Sequence, residues 1–179
     1  MTNVVPVIVS KSALIPADAV KKNFLDMCIV YKEGNRLITE RDIRERFFST
    51  YELDIHAYGN LNADYTESTL PNLLKSLGQK VEKGAGNVYV LTNKSNIYGA
   101  ASMLCENRLH KLAEKLNDNL YIIPSSVHEV LVVRESDVDD TNAIKKTIHD
   151  INNSIVKETE RLSYSLYLYE KDTGDYREV

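Results

Sequence analysis

Apolar and polar positions along this chain follow two different periods, and each change of period marks an element. Residues 4–9, "VVPVIV", form an apolar run of strand length. Pro6 has no N–H to give to a ladder, which puts this strand at an edge or makes it irregular. "DMCIVYK" (26–32) is a firmer strand; "EGNR" turns the chain and "LIT" (37–39) returns, so 26–39 reads as a β-hairpin. Thr39 with Asp42, and Ser49 with Glu52, have the spacing of helix N-terminal caps, which predicts two short helices across 40–58. Ile43, Phe47, Tyr51 and Ile55 recur every fourth residue there and predict one buried face. "GNLNAD" (59–64) reads as a loop and 66–78 as a short helix that begins or breaks at Pro71.

The second half has the clearer periodicity. "KGAGN" (83–87) is flexible, 88–93 is a strand, and 97–104 is a candidate second strand. The best helix starts at Cys105, with Leu109, Leu112, Ala113 and Leu116 on the same face. "NLYIIP" (119–124) and "VHEVLVV" (127–133) are extended. Residues 136–156 are helical with Ile144, Ile148, Ile151 and Ile155 inward, and the tail is a strand followed by an Asp-Thr-Gly-Asp turn. Strands 88–93 and 119–123 flank the best helix as in a β-α-β unit. The expected fold is therefore a single mixed α/β (α+β) domain: a mixed sheet with helices packed on it and an N-terminal β-hairpin. Residues 1–23 read as an extension with a short strand and 24–179 as the domain.

Composition narrows the function. The chain has 179 residues, 43% apolar and 27% charged, enough for one well-packed core. Its net charge is −4, whereas a non-specific nucleic-acid binder carries an excess of Lys and Arg. A mildly acidic surface better suits a protein partner with a basic face. No apolar run is long enough to span a bilayer, and the first residues lack the basic and hydrophobic regions of a signal peptide. Two cysteines, Cys28 and Cys105, make no disulfide framework; the expectation is a reducing, cytoplasmic setting with both thiols in the core.

The stretch "VYVLTNKSNIYGAASML" followed by "LAEKLNDNLYIIPSSVHEVLVV" (88–133) resembles a domain family of unknown function from Gram-positive bacteria. Its members look like cargo of conjugative and phage-related elements. The resemblance extends back through "DMCIVYKEGNRLITERDI" and the A-x-x-N at Ala57 and Asn60. It extends forward through "INNSIV" and "LSYSLYLYEKDTGDY", covering about residues 24–176, while family members look longer at the N-terminus. The family has no established catalytic residues, so none carries over. The resemblance implies an accessory protein of a mobile element. Some small acidic proteins of such elements act against host defence, including inhibitors of CRISPR nucleases.

The candidate chemistry lies at strand ends. Ser125 or Ser126, His128 and Glu129 supply the residue types of a nucleophile, a base and an orienting group. In an extended segment, however, His128 and Glu129 point to opposite faces, and Pro-Ser-Ser also makes a polar bend whose hydroxyls satisfy the backbone. Asn93 and Lys94, just past a strand, suit a phosphate or carboxylate, or else a solvated turn. In "YSLYLY", Tyr164, Leu166 and Leu168 share one face and Ser165, Tyr167 and Tyr169 the other. Either Tyr167 and Tyr169 face outward to a partner, or the strand is buried on both sides. Histidines 56, 110 and 149 lack ligand spacing, so no metal and no cofactor is expected. Arg36, Arg41, Arg44 and Arg46 alternate with Glu40, Asp42 and Glu45, a self-neutralised face more than an RNA-binding one.

The function expected is binding to a protein partner, a nuclease or its ribonucleoprotein, as a counter-defence inhibitor of the anti-CRISPR kind, with strand 4–9 and the hairpin as contacts. The alternatives are a small hydrolase or ribonuclease-like enzyme built on Ser125, His128, Glu129 and Lys94, and a direct RNA-binding protein.

Overall fold

The structure is a computed structural model, and it describes residues 3–46, 48–76, 87–124 and 126–179. Two sheets share one core. The first has strand order β1 (Val4–Ser10), β3 (Met27–Glu33), β2 (Lys21–Phe24), with the short β4 (Arg36–Leu37) pairing the end of β3. The second has six strands in the order β10 (Tyr176–Glu178), β9 (Tyr167–Tyr169), β7 (Leu120–Ile123), β8 (Val130–Arg134), β6 (Tyr89–Asn93), β5 (Tyr65–Thr69). Every neighbouring pair in both sheets is antiparallel. The mixed α/β class and the N-terminal hairpin therefore form as the residue pattern requires. Gly34, first central residue of the β3–β4 turn, takes the positive φ of 60° that a two-residue hairpin loop favours. β1 and β2 pair with β3 on either side, and β2 crosses the boundary expected between residues 23 and 24.

β1 is an edge strand, as Pro6 demands. Pro6 has no N–H, so its nitrogen fits on the side away from β3, and alternate residues share that side. The Val4 carbonyl accordingly accepts from Asn60 Nδ2 at 2.8 Å. Both features blunt the outer edge of β1, which makes strand pairing with a partner a poor use of it.

α1 (Glu40–Arg46) and α2 (Thr50–Asp64) are separate helices, each started by its cap. Thr39 Oγ1 accepts from Asp42 N at 3.2 Å, and Ser49 with Glu52 forms a complete capping box. That break resets the helical phase. Ile43 is buried on α1, but on α2 the inward residues are Leu53, Ala57 and Leu61, while Tyr51 and Ile55 are exposed. Phe47 lies outside the described residues. Helix also continues through 59–64, expected as loop, because Leu61 is buried and Asn60 has a partner on β1.

Three further expectations change. The span 66–78 splits into strand β5, paired with β6, and helix α3 (Leu70–Ser76), whose second residue is Pro71, where no helical N–H is needed. Residues 77 and 78 and the stretch 83–86 lie outside the described residues. The second strand expected at 97–104 is instead a 3₁₀ turn over Gly99–Leu104, buried throughout. Its run of small residues lets the backbone enter the core, where a longer side chain would keep it out. Of the isoleucines expected inward on α5 (Thr141–Ser154), Ile148 is buried, Ile144 and Ile151 are half-buried, and Ile155, at the helix end, is exposed.

β6 and β7 lie in one sheet and both run antiparallel to β8 between them. They are thus parallel to each other, joined through α4 (Glu106–Leu116), a β-α-β unit split by β8. The main core joins both sheets, from Ile8 and Tyr31 in the first to Leu91, Ile122 and Val132 in the second, with Leu109 and Leu112 of α4. A smaller cluster, Tyr121, Leu166, Leu168 and Ile148, lies where α5 covers the other face of the second sheet. No helix among the described residues is long and apolar enough to cross a membrane.

Candidate functional site

Three segments converge beyond the ends of β6 and β8: the loop 93–99, the bend 126–129 and the 3₁₀ turn Glu158–Glu160. Their contact is close. A Cβ on Gly99 would come within 2.1 Å of Thr92 Oγ1, 2.5 Å of the His128 carbonyl and 2.8 Å of Asn93 N, so glycine is needed there. Thr92 Oγ1 donates to the His128 carbonyl at 2.8 Å, and Ser102 Oγ donates to the Thr92 carbonyl at 2.6 Å. Val127 N donates to the Glu160 carbonyl, and Ala100 N to the Val127 carbonyl. The segments therefore form one hydrogen-bonded block.

Within that block the candidate hydrolytic residues are engaged locally. Ser126 is buried; its hydroxyl donates to Glu129 Oε1 at 2.9 Å and accepts from His128 N at 3.0 Å. His128 Nδ1 accepts from Tyr98 N at 3.3 Å, which leaves the ring proton of neutral His128 on Nε2, 3.8 Å from Glu160 Oε1. The Ser126 proton thus faces a carboxylate, and the His128 lone pair faces a backbone amide. This is the polar bend, with its hydroxyl spent on the chain itself. Ser125 lies outside the described residues.

Asn93 and Lys94 are likewise occupied. Asn93 closes its own loop, accepting from Ser95 Oγ at 3.0 Å and Ile97 N at 3.2 Å and donating to the Ile97 carbonyl at 2.9 Å. Lys94 Nζ donates to the Ala63 carbonyl at 2.8 Å and its backbone N to that of Asp64, which places a cation on the negative end of α2. Tyr167 and Tyr169 do not face outward: each is 1% exposed. Tyr167 bonds Asp26, and Tyr169 meets the Tyr176 ring edge-on at 5.3 Å between centroids. The reason is tertiary, since the core covers their face of β9 and α5 covers the leucine face.

Arg36 pairs with Asp42 at 2.6 Å, Arg41 with Glu45 at 2.6 Å and Arg46 with Glu33 at 2.7 Å, so these arginines neutralise carboxylates of their own chain. Cys28 and Cys105 are buried and unpaired, and burial pushes the Cys105 thiol up to about 12. Asp140 caps α5 by accepting from Asn142 N at 2.9 Å. Among the described residues no group of three His, Cys, Asp or Glu is placed to hold a metal ion.

The opening beside this block is a cleft of about 290 Å³ between β1 and the 93–98 loop. Val5, Val7, Leu61 and Ile97 give it an apolar lining; Lys32 and Asp64 bring opposite charges. At its rim the Lys32 ammonium sits 4.0 Å from the centre of the Tyr98 ring, which lies 6.0 Å from the His128 ring. Ile97 and Tyr98 remain 56% and 38% exposed. Lys32, Ile97, Tyr98 and Glu160 escaped the sequence reading. The available signal was the pair Ile97-Tyr98, large and apolar inside the polar turn "NKSNIYG".

A model of a family of unknown function, DUF5688, matches residues 17–171. The chain belongs to this family. No curated protein and no solved structure matches it. The DUF5688 match takes in β2 through β9, and so the whole block of Gly99, Ser126, His128 and Glu160. It begins after β1, which supplies the wall of the cleft formed by Val5 and Val7.

Proposed function

We propose that this chain is a binding protein, and that it seats an apolar side chain of a protein partner in the cleft between β1 and the 93–98 loop. The observation that carries the reading is the exposure of Ile97 and Tyr98 at the mouth of an apolar-lined cleft. Their loop is held by Asn93 and His128, so the surface is formed before the partner arrives. A preformed aromatic and aliphatic rim around a pocket is the arrangement of interface anchor sites. Lys32 at the rim suits an acidic group beside the anchor. RNA fits less well: the Tyr98 ring already carries Lys32 and leans on His128, and Arg36, Arg41 and Arg46 are paired. The resemblance to mobile-element cargo makes a host defence nuclease the first partner to try, as a counter-defence target.

The test is capture from a host lysate by the wild-type chain and by Ile97→Glu, with and without ribonuclease. A protein retained after ribonuclease and lost with Ile97→Glu supports the reading. Equal capture by both chains, or release by ribonuclease, refutes it. Unimpaired cleavage by a captured nuclease would remove the counter-defence role and leave the cleft as a binding site of another kind.

A further inference from the structure

We propose that His128 is a proton-operated latch for the 96–98 loop, and through it a regulator of the cleft; the second half of this rests on the cleft being the binding surface. Neutral His128 holds the loop by accepting the Tyr98 N–H on Nδ1. An imidazolium carries a proton on both nitrogens and accepts nothing. Protonation therefore turns the bond into two N–H groups facing each other across 3.3 Å. Imidazole is the side chain that makes this change between about pH 5 and 8.

The loop has reason to move when released. Tyr98 lies in the left-handed region at φ 56°, a conformation a bulky L residue keeps only when held; Asn96 shares it at φ 55°, where asparagine is tolerated. The Asn93–Ile97 bonds and the Ala100-to-Val127 bond remain, which confines the change to the rim.

Charged groups face the ring from several segments. Glu160 Oε1 faces Nε2 at 3.8 Å. Lys157 first, and His128 after it, hold the Glu160 carboxyl below the usual range. Lys157 Nζ lies 3.1 Å from the same oxygen. Lys32 lies above the Tyr98 ring. Glu129, next in the chain, has one carboxylate oxygen taken by Ser126. Arg161, bridged to Ser126 through the backbone, points its Nε at the Val156 carbonyl.

The experiment is a pH titration of the isotopically labelled full chain by NMR, following the His128 ring nitrogens and the amides of Ile97 and Tyr98. The expected result at high pH is a ring protonated on Nε2 only. As pH falls, the Tyr98 amide should shift with the same midpoint as the His128 ring, and its hydrogen exchange, corrected for intrinsic rate, should quicken by roughly tenfold. In His128→Asn the side-chain oxygen accepts at any pH, and the Tyr98 titration should vanish. A neutral ring protonated on Nδ1, or a Tyr98 amide that stays flat while the ring titrates, overturns the latch; both are read on the wild-type chain even if His128→Asn fails to fold. None of these readouts needs a partner. A cleft that binds nothing leaves them unchanged, and a cleft that binds with a flat Tyr98 amide refutes the latch alone.

Discussion

The carboxylate of Asp26 accepts the hydroxyl of Tyr167, so the tight turn between β2 and β3 in the first sheet is clasped to the start of β9 in the second. The other carboxylate oxygen accepts from Ser163 Oγ at 2.7 Å. One charged group thereby joins segments 137 and 141 positions away in sequence. Hydrogen bonds to charged groups contribute roughly 1.5–3 kcal/mol each, and a buried one broken on one side costs most.

Tyr167→Phe should lower the urea midpoint by an amount equivalent to about 1.5–3 kcal/mol and leave the denaturant slope unchanged. An unchanged midpoint would mean that the clasp adds nothing to stability. The same phenol makes stability fall at high pH. Burial first, and the bond to Asp26 second, push Tyr167 up to about 12. A raised folded value favours the neutral form, so this contribution is complete below the free phenol's value of about 10 and is lost as pH rises towards 12. Melting temperature should hold from neutral pH to about 10 and then fall, less steeply for Tyr167→Phe than for wild type.

At the acid end the sensitive group is Asp42. Arg36, followed by the Thr39 amide and hydroxyl, holds its carboxyl down at about 2 against the opposing effect of burial. A depressed folded value contributes above the free value of about 4, and the contribution is lost as pH falls through 2. Circular dichroism on acid titration should show Asp42→Asn losing less stability over this window than wild type. Thr39→Ala, which removes the capping hydroxyl of α1, should cost about 1 kcal/mol at neutral pH in urea unfolding.

Two glycines should respond to alanine in opposite ways. At Gly99 the new methyl meets the His128 carbonyl and Asn93 N, backbone atoms that cannot rotate aside. Gly99→Ala should cost about 2 kcal/mol or more and perturb the Ile97 and Tyr98 amides. At Gly59, inside α2, a Cβ would meet nothing within 4 Å. Gly59→Ala should stabilise by about 0.5–1 kcal/mol, from lower chain entropy and better helix propensity. Equal melting shifts for the two variants would contradict the packing at Gly99.

The phase of α2 is checked by a pair of substitutions two residues apart. Leu53 is fully buried, and Leu53→Ala should cost about 2–5 kcal/mol. Ile55 is 54% exposed, and Ile55→Lys should fall within about 0.5 kcal/mol of wild type by thermal melting. The reverse order would restore the inward Ile55 that fourfold spacing alone suggests.

How far the sequence carried can be read from these particular residues. At several places where an interaction spans one turn of chain, sequence spacing was enough. Ser49 with Glu52 and Thr39 with Asp42 were legible as caps, Gly34 as a hairpin turn, Pro6 as an edge, and Leu109 with Leu112 and Ala113 as a buried helix face. So were β6 and β7 in one sheet around α4, because a β-α-β run is a local pattern of periods. Apolar 3₁₀ structure at Gly99–Leu104 was not, since small residues in a row satisfy strand and turn alike until something packs on them.

The site shows the other limit. The sequence brought Ser126, His128 and Glu129 to attention and allowed both a catalytic and a turn reading, because the bend is written in five consecutive residues. Which groups those side chains meet was decided by segments about 30 residues away on either side, Tyr98 before them and Glu160 after. The same holds for β9, where local alternation allowed an outward face and only the core on one side and α5 on the other made Tyr167 and Leu168 both buried. Short-range spacing thus determined the caps, the hairpin turn and the buried face of α4, while the cleft, the hydrogen bond from Tyr98 to His128 and the clasp on Asp26 came from tertiary structure. The physical reason is that hydrogen-bond partners and burial belong to whatever the chain folds against, which no single stretch of sequence contains.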